Sequence, residues 1–178
     1  MADVTSIQTS GSGPSPTPSK VWLITGASSG LGLALAQRAL ARGEHVIATA
    51  RGDAPARFAE LVASVSDGER ARLRVMQLDV AAPYAEIAHV AQEAVAVWGR
   101  VDVVVCNAGV GGFRGVSEEF GRDVFLDHMR VNFLGAVNVI NALLPQMRAR
   151  RDGAVLIVGS RTAYRNEIAV RPVASCAR

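Results

Sequence analysis

Residues 25–32 read TGASSGLG. They separate the apolar run VWLIT (21–25) from LGLALAQRALAR (31–42), whose apolar residues recur at helical spacing. Glycine adopts positive φ and has no Cβ, so this backbone can turn sharply and approach a pyrophosphate closely. The start of the following helix offers free N–H groups, and the hydroxyls of Ser28 and Ser29 add hydrogen-bonding groups. The stretch predicts a nucleotide-binding turn between a strand and a helix; the alternative is an ordinary strand-to-helix turn.

Strand-like and helix-like segments alternate on either side of this turn. Strands that are apolar on both faces are typical of parallel sheets covered by helices on each side. We therefore predict an α/β fold with a doubly wound parallel sheet, Rossmann-like, in the order 3-2-1-4-5. The further predicted strands are HVIATA (45–50), RLRVMQLDV (72–80), VDVVVCNAG (101–109) and GAVLIVGS (153–160), and the further predicted helices cover 53–66, 83–99 and about 117–150.

The composition limits the number of domains and the kinds of partner. Of the 178 residues, 49% are hydrophobic, which is ordinary for one globular domain. Residues 1–19 are rich in Ser, Thr, Pro and Gly, and we expect them to form a disordered leader before an incomplete dinucleotide-binding domain at 20–178. The leader lacks the basic start and apolar core of a secretory signal.

Charge and cysteine usage exclude several function classes. Arginines crowd the last thirty residues, but Tyr164 is the single aromatic residue among them, so we expect no nucleic-acid partner. The apolar runs are shorter than the roughly 20 residues that span a bilayer. Two separated cysteines and three scattered histidines indicate no metal site and a reducing compartment. We expect a cytoplasmic protein without a membrane partner.

Four motifs together resemble the short-chain dehydrogenase/reductase family of the classical type, over about residues 20–160. The loop spacing Gly-x3-Gly-x-Gly is the first, and the others are LDV (78–80), CNAG (106–109) and VNFLGAVNV (131–139). A methyltransferase is the rival Rossmann reading, but its loop usually carries an acidic residue where this chain has Thr25. The resemblance implies NAD(P)-dependent oxidoreduction of a small-molecule carbonyl or alcohol.

The resemblance also implies a set of cofactor-binding residues. Cys106 stands where the family commonly has asparagine, and we interpret it as a small buried residue. Arg51 follows the second strand, where an arginine accommodates the 2′-phosphate of NADP, so we predict NADP with NAD as the alternative. The other reading of Arg51 is a solvated loop residue. The implied contacts are Gly26, Ser28, Ser29, Gly30, Leu31 and Gly32 for the phosphates, Arg51, Asp79 and Val80 for the adenosine, and Asn107, Ala108 and Gly109 for the nicotinamide end.

In the resembled family, catalysis needs a Tyr-x-x-x-Lys pair, a serine and an asparagine. Asn132 and Ser160 match the asparagine and the serine. Counting from Ser160 places the tyrosine at Val173 and the lysine at Ala177, and a shift of one residue does not supply them either. The chain contains two tyrosines and one lysine, at positions 84, 164 and 20, and none forms the pair.

We therefore expect a catalytically incomplete chain that stops after the fifth strand. A truncated or frameshifted gene explains this better than a naturally short relative. Two further readings stay open: a nucleotide-binding module without catalysis, and an interaction protein that uses its basic tail. We do not expect a family-type oligomer from this chain, because the resemblance implies that later elements build much of that contact.

Overall fold

The computed structural model of the protein describes residues 19–111 and 121–160. Within that part, strands and helices alternate as the sequence predicts. In chain order they are β1 (Val21–Ile24), α1 (Gly30–Ala41), β2 (His45–Ala50), α2 (Ala54–Arg57), α3 (Ala59–Ser64), α4 (Asp67–Arg70), β3 (Leu73–Gln77), α5 (Tyr84–Trp98), β4 (Val103–Cys106), α6 (Arg122–Met129), a π-helical turn (Arg130–Leu134), α7 (Gly135–Arg150) and β5 (Ala154–Ile157).

The five strands form one parallel sheet in the order β3-β2-β1-β4-β5, which confirms the predicted fold class and strand order. In register, Leu23 of β1 lies between Ile47 of β2 and Val104 of β4. After β3 the chain crosses to the other side of β1 and continues into β4. The carboxyl ends of β1 and β4 therefore border the crevice where open α/β sheets bind their ligands.

Each face of the sheet carries its own buried core. Leu23 and Val104 belong to the core that includes residues of α5 and α7. Their chain neighbours Ile24 and Val105 belong to the core on the opposite face, with residues of α1, α2 and α3. Successive side chains of a strand point to opposite faces, so a sheet covered on both sides requires apolar residues at every strand position.

The prediction of one helix over 53–66 is wrong, because the structure has two short helices there, α2 and α3, and a third, α4, directly after them. The first helix, α2, is interrupted at Phe58, whose side chain is fully buried. Ser66 begins α4 instead of ending a longer helix: its backbone N–H donates to Glu69, and its hydroxyl accepts from the Glu69 N–H. This reciprocal capping box starts a new helix and so separates α3 from α4.

The predicted helical region at 117–150 is also interrupted. Residues 117–120 lie outside the described part, and the remainder consists of α6, the π-helical turn and α7. Gly135, the first residue of α7, packs against Val80: a Cβ on this glycine would lie 2.9 Å from the Val80 side chain and carbonyl oxygen. The close approach fixes the start of α7 beside the residue that follows β3.

Strand β5 is the least covered strand of the described sheet. Its four residues are all exposed, and Ile157 reaches 61%. The sequence predictions for residues 1–18 and 161–178 lie outside the described residues. None of the helices in 19–111 and 121–160 combines the length and the apolar character that crossing a membrane requires.

Candidate cofactor site

A cavity of about 280 Å³ opens at the carboxyl ends of the central strands. Nine of the residues that the resemblance implies for cofactor binding line it. They are Gly26, Ser28, Ser29, Arg51, Asp79, Val80, Asn107, Ala108 and Gly109. The lining also includes Ala50, Arg57, Leu78, Val110 and Val131, which the sequence analysis did not single out.

Gly26 turns the chain from β1 into the cavity. Its φ is +63°, and a Cβ at this position would lie 2.8 Å from the Cα of Ala108. Both the conformation and the contact require glycine here. The loop after β1 and the loop after β4 therefore meet backbone to backbone.

Three other residues predicted to contact the cofactor phosphates do not line the cavity: Gly30, Leu31 and Gly32. Leu31 projects into solvent and is 71% exposed. Gly32 is buried, and a Cβ on it would lie 2.4 Å from Asn107 Nδ2 and 2.6 Å from the Gly26 carbonyl oxygen. The structure thus gives Gly32 a packing role that lets α1 approach the loop after β4.

The amino-terminal turn of α1 faces the cavity with little competing negative charge. Ser29 is the N-cap residue, and its side chain makes no capping hydrogen bond. No acidic residue lies in the first turn of the helix. Unpaired N–H groups and the positive end of the helix dipole together favour an anion at such a position.

Thr25 and Asn107 connect the two loops. The Thr25 hydroxyl accepts hydrogen bonds from the backbone N–H groups of Asn107 and Ala108, each at 3.0 Å, and donates to the Val105 carbonyl at 3.3 Å. In return, Asn107 Nδ2 donates to the carbonyl oxygens of Thr25 at 2.9 Å and Gly26 at 3.1 Å. Thr25 is 2% exposed, so this uncharged network is shielded from water and holds the floor of the cavity in place.

Arginine and aspartate side chains lie at the other end of the cavity. Arg51 lines it immediately after β2, and no ion pair in the described residues involves this arginine. Asp79 follows β3, and its Oδ1 accepts a hydrogen bond from the Ala81 N–H at 2.9 Å. The hydrogen bond holds the Asp79 carboxylate at the edge of the cavity.

Asn132 reaches the cavity wall from the π-helical turn. Its Oδ1 accepts from the Val110 N–H at 2.7 Å, and its Nδ2 donates to the Val110 carbonyl at 2.9 Å. The amide thereby satisfies both backbone groups of a residue that lines the cavity. A π-helical turn inserts an extra residue into a helix and is frequent at functional sites, which suits this placement of Asn132.

Of the remaining predicted catalytic positions, Ser160 is the one that lies within the described residues. Ser160 is exposed at the carboxyl end of the sheet, after β5, and does not line the cavity. Val173 and Ala177, the positions predicted for the missing tyrosine and lysine, lie outside the described residues. Cys106 is buried, and burial raises the pKa of its thiol to about 11, so it is held as an unreactive thiol beside the site.

Three of the five lining residues that sequence reasoning missed depend on how the helices divide. Arg57 comes from α2, whose place over the cavity depends on how residues 53–66 divide into helices. Val110 and Val131 depend on the π-helical turn, for which the apolar periodicity gives no signal. A usable signal existed only for the start of α4, because SDGE at 66–69 matches the Ser-x-x-Glu pattern of a capping box; the break at Phe58 that ends α2 has no such signal.

A doubly wound parallel sheet with a glycine-rich loop at its central crevice defines a dinucleotide-binding domain of the Rossmann type. The chain belongs to the short chain dehydrogenase family, which matches residues 20–176. That assignment confirms the resemblance drawn from the four sequence motifs.

Known relatives and solved structures agree with this assignment. The chain is 36% identical over 141 residues to the oxidoreductase BOA17 of Botryotinia fuckeliana, covering 79% of this chain and 49% of the relative. A short-chain dehydrogenase from Streptomyces avermitilis superposes with a TM-score of 0.79 at 37% identity, covering 89% of this chain and 55% of that one. ElxO, solved with NADP bound, gives a TM-score of 0.80 at 26% identity, covering 88% and 62%. The chain therefore spans about half the length of curated relatives that it matches.

Proposed function

We propose that this chain is the cofactor-binding part of an NAD(P)-dependent oxidoreductase that interconverts a small-molecule carbonyl and its alcohol. The observation that carries the proposal is the cavity in which Gly26, Asn107 and Ala108 meet at the end of β1. NADP bound to the structural relative ElxO supports a nicotinamide cofactor. When bound, the cofactor supplies or accepts the hydride.

The chain's own residues hold and orient this cofactor. In the proposal, the first turn of α1 and the hydroxyls of Ser28 and Ser29 bind the phosphates. Asp79 and Val80 border the adenosine, while Asn107, Ala108 and Gly109 form the wall at the nicotinamide end. Asn132 fixes that wall through both backbone groups of Val110.

We further propose that NADP(H) binds more tightly than NAD(H). Arg51 supports this preference, because a charge-assisted hydrogen bond to a phosphate contributes about 1.5–3 kcal/mol. We expect at least a tenfold difference between NADPH and NADH in calorimetric titrations of the chain, and we expect Arg51→Ala to remove most of it. Equal affinities for the two cofactors in the unmodified chain would contradict the preference.

For the 178-residue chain on its own, we propose cofactor binding without turnover. The sequence contains no Tyr-x-x-x-Lys pair, and a positioned general acid typically contributes about 10²–10⁴-fold to the rate. The assay follows NADPH absorbance with a panel of ketones and aldehydes, and we expect no rate above background. Saturable turnover would show that another residue supplies the proton and that the reading of Val173 and Ala177 is wrong.

A further inference from the structure

We propose that Arg57 is a second specificity-determining residue of this cavity, and that it binds the 2′-phosphate of NADP(H) together with Arg51. We further infer that Asp53 is a positioning residue, which caps α2 and so holds Arg57 in place. Both inferences rest on the proposed function, since they concern the same cofactor cavity.

Arg57 reaches the cavity although it lies beyond the loop that carries Arg51. Both arginines line the cavity. The Arg57 side chain lies beside the loop at Gly52, because a Cβ on that glycine would be 3.9 Å from Arg57 Nε. Gly52 has a φ of +71°, and the turn at this residue leads the chain back from β2 into α2. The turn at Gly52 therefore separates Arg51 from Arg57, and both side chains face the cavity.

The backbone that presents Arg57 is fixed by the core. Ala54 and Phe58 lie on either side of it in sequence and are 1% and 0% exposed. Both belong to the apolar core under α1 and β2, so α2 is anchored by its buried residues. A charged side chain on an anchored element is better positioned for a ligand than one on a free loop.

Asp53 is the acidic residue that lies between the two arginines in sequence, and its carboxylate is already engaged. Its Oδ1 accepts the Ala56 N–H at 3.1 Å, and its carbonyl oxygen accepts the Arg57 N–H at 3.1 Å. An acidic side chain directed at the ribose would hydrogen-bond the 2′-OH of NAD, whereas an arginine accommodates a 2′-phosphate. The cap directs the Asp53 carboxylate to the backbone of α2 instead.

The charge balance of the cavity favours a phosphate. In residues 19–111 and 121–160, no ion pair involves Arg51 or Arg57. Asp79 is the acidic residue in the lining, and it hydrogen-bonds the Ala81 N–H. Two arginines that form no ion pair within this part of the chain match a dianion, because guanidinium groups bind phosphate oxygens through paired hydrogen bonds.

The experiment uses two nucleotides that differ by the 2′-phosphate alone: 2′,5′-ADP and 5′-AMP. Calorimetry on the full 178-residue chain compares the unmodified protein with Arg57→Ala, Arg57→Lys and the control Arg38→Ala. Arg38 is an exposed arginine in the last turn of α1, outside the cavity lining. We expect Arg57→Ala to weaken 2′,5′-ADP about tenfold and 5′-AMP less than twofold. Arg57→Lys should keep part of the affinity, and Arg38→Ala should keep all of it.

The outcomes separate this inference from the proposed function. If the unmodified chain binds neither nucleotide, the proposed function itself fails, and this inference fails with it. If the chain prefers 2′,5′-ADP and Arg57→Ala keeps the full preference, Arg57 has no role and Arg51 alone carries the subsite. Equal weakening of both nucleotides by Arg57→Ala and Arg57→Lys would assign Arg57 a structural role and overturn the inference.

Two substitutions test the positioning role of Asp53. Asn caps a helix as well as Asp does, whereas Ala does not. We therefore expect Asp53→Asn to keep the preference for 2′,5′-ADP over 5′-AMP or to increase it, since a negative charge is removed. Asp53→Ala should reduce the preference severalfold while 5′-AMP binding stays within twofold. An unchanged preference in Asp53→Ala would overturn the positioning role.

Discussion

At the amino ends of β1 and β4 the two strands are joined by an ionic network, and at their carboxyl ends by an uncharged one. The amino-end network centres on Asp102, whose Oδ2 accepts from the Val21 N–H at 2.8 Å and from Arg100 Nε at 2.9 Å, while its Oδ1 accepts from Arg150 at 2.7 Å. At the carboxyl ends, the Thr25 hydroxyl and the Asn107 amide make the connection.

The two ends differ in whether their arginine side chains have partners. At the amino ends, Arg150 also donates to the Val101 carbonyl and Arg100 to the Ser19 carbonyl, so both arginines are engaged. At the carboxyl ends, Arg51 and Arg57 have no ion pair within the described residues. The compensated end stabilises the sheet, whereas the other end keeps its cations available for an anion. Substitutions at the two ends should therefore affect different measurements.

The largest effect is expected at the amino ends, from Asp102→Ala. The Asp102 side chain is 5% exposed, and removing it leaves the buried Val21 N–H without its acceptor and two arginines without their counter-ion. Breaking such a buried pair costs about 3 kcal/mol of unfolding free energy. Arg100 and Arg150 keep some solvent contact, so we expect no greater loss. Denaturant unfolding of the unmodified chain and of Asp102→Ala measures this loss of unfolding free energy.

Asp127→Ala is the matched control for this substitution. Asp127 pairs with Arg130 at 3.4 Å, but both side chains are more than half exposed, at 69% and 58%. Exposed ion pairs contribute about 0–1 kcal/mol, so the control should unfold nearly like the unmodified chain. Equal destabilisation by the two substitutions would refute the assignment of stability to the amino-end network.

A smaller loss of stability, combined with a loss of cofactor affinity, is expected from Thr25→Val. Valine keeps the shape of the side chain but removes the acceptor of the Ala108 N–H and one of the two acceptors of the Asn107 N–H, which keeps the Val105 carbonyl at 3.1 Å. Leaving the Ala108 N–H unsatisfied costs about 2 kcal/mol. Because the loop after β4 then loses its fixed position, NADPH affinity should also fall severalfold, as measured by calorimetry.

Thr49→Val tests whether the effect belongs to the site. Thr49 is fully buried one strand away, and its hydroxyl donates to the Ile24 carbonyl at 3.3 Å but accepts from no backbone N–H of residues 19–111 and 121–160. We expect it to cost less than about 1 kcal/mol and to leave NADPH affinity unchanged. Thr25→Ser keeps the hydroxyl, so we expect it to retain much of the stability and NADPH affinity that Thr25→Val loses. If Thr49→Val lowers NADPH affinity as much as Thr25→Val does, the Thr25 hydrogen bonds have no specific role in cofactor binding.

The sequence sufficed for those features that depend on local pattern. A parallel sheet covered on both faces follows from apolar runs such as VDVVVC, because a strand buried on both faces is typical of such a sheet. Gly26 could be assigned to a tight turn, because few other residues tolerate its conformation. Both inferences need only neighbouring residues and the physics of one element.

Features that depend on contacts between distant elements could not be predicted from the sequence. Thr25 and Asn107 are 82 residues apart, and nothing local shows that the hydroxyl accepts two N–H groups. Arg57 joins the cavity because α2 ends at Phe58, where burial in the core interrupts the helical period. Gly32 was assigned to the phosphates, yet its place is fixed by contact with Asn107. Tertiary contacts decide each of these cases.

The smallest expected effect is the contribution of Asp102 to stability in acid. Burial alone would raise the pKa of this carboxyl, but the hydrogen bonds from Val21, Arg150 and Arg100 outweigh burial and hold the pKa below its ordinary value. A carboxyl whose pKa is lowered by folding stabilises the fold above its unfolded pKa, about 3.9, and loses that contribution as the pH falls through the folded pKa.

The pH dependence of unfolding free energy separates this contribution from that of other carboxylates. Glu69 also has a lowered pKa, chiefly from its hydrogen bonds with Ser66, so the unmodified chain should lose stability below about pH 4 from more than one group. Asp102→Asn removes one titrating group while keeping a side chain of the same size. We expect this variant to be less stable than the unmodified chain at pH 7 and to lose less stability between pH 5 and about pH 2.5. Parallel pH curves for the two proteins would mean that Asp102 does not titrate with folding, and the ionic character assigned to the amino ends of the sheet would then have to be given up.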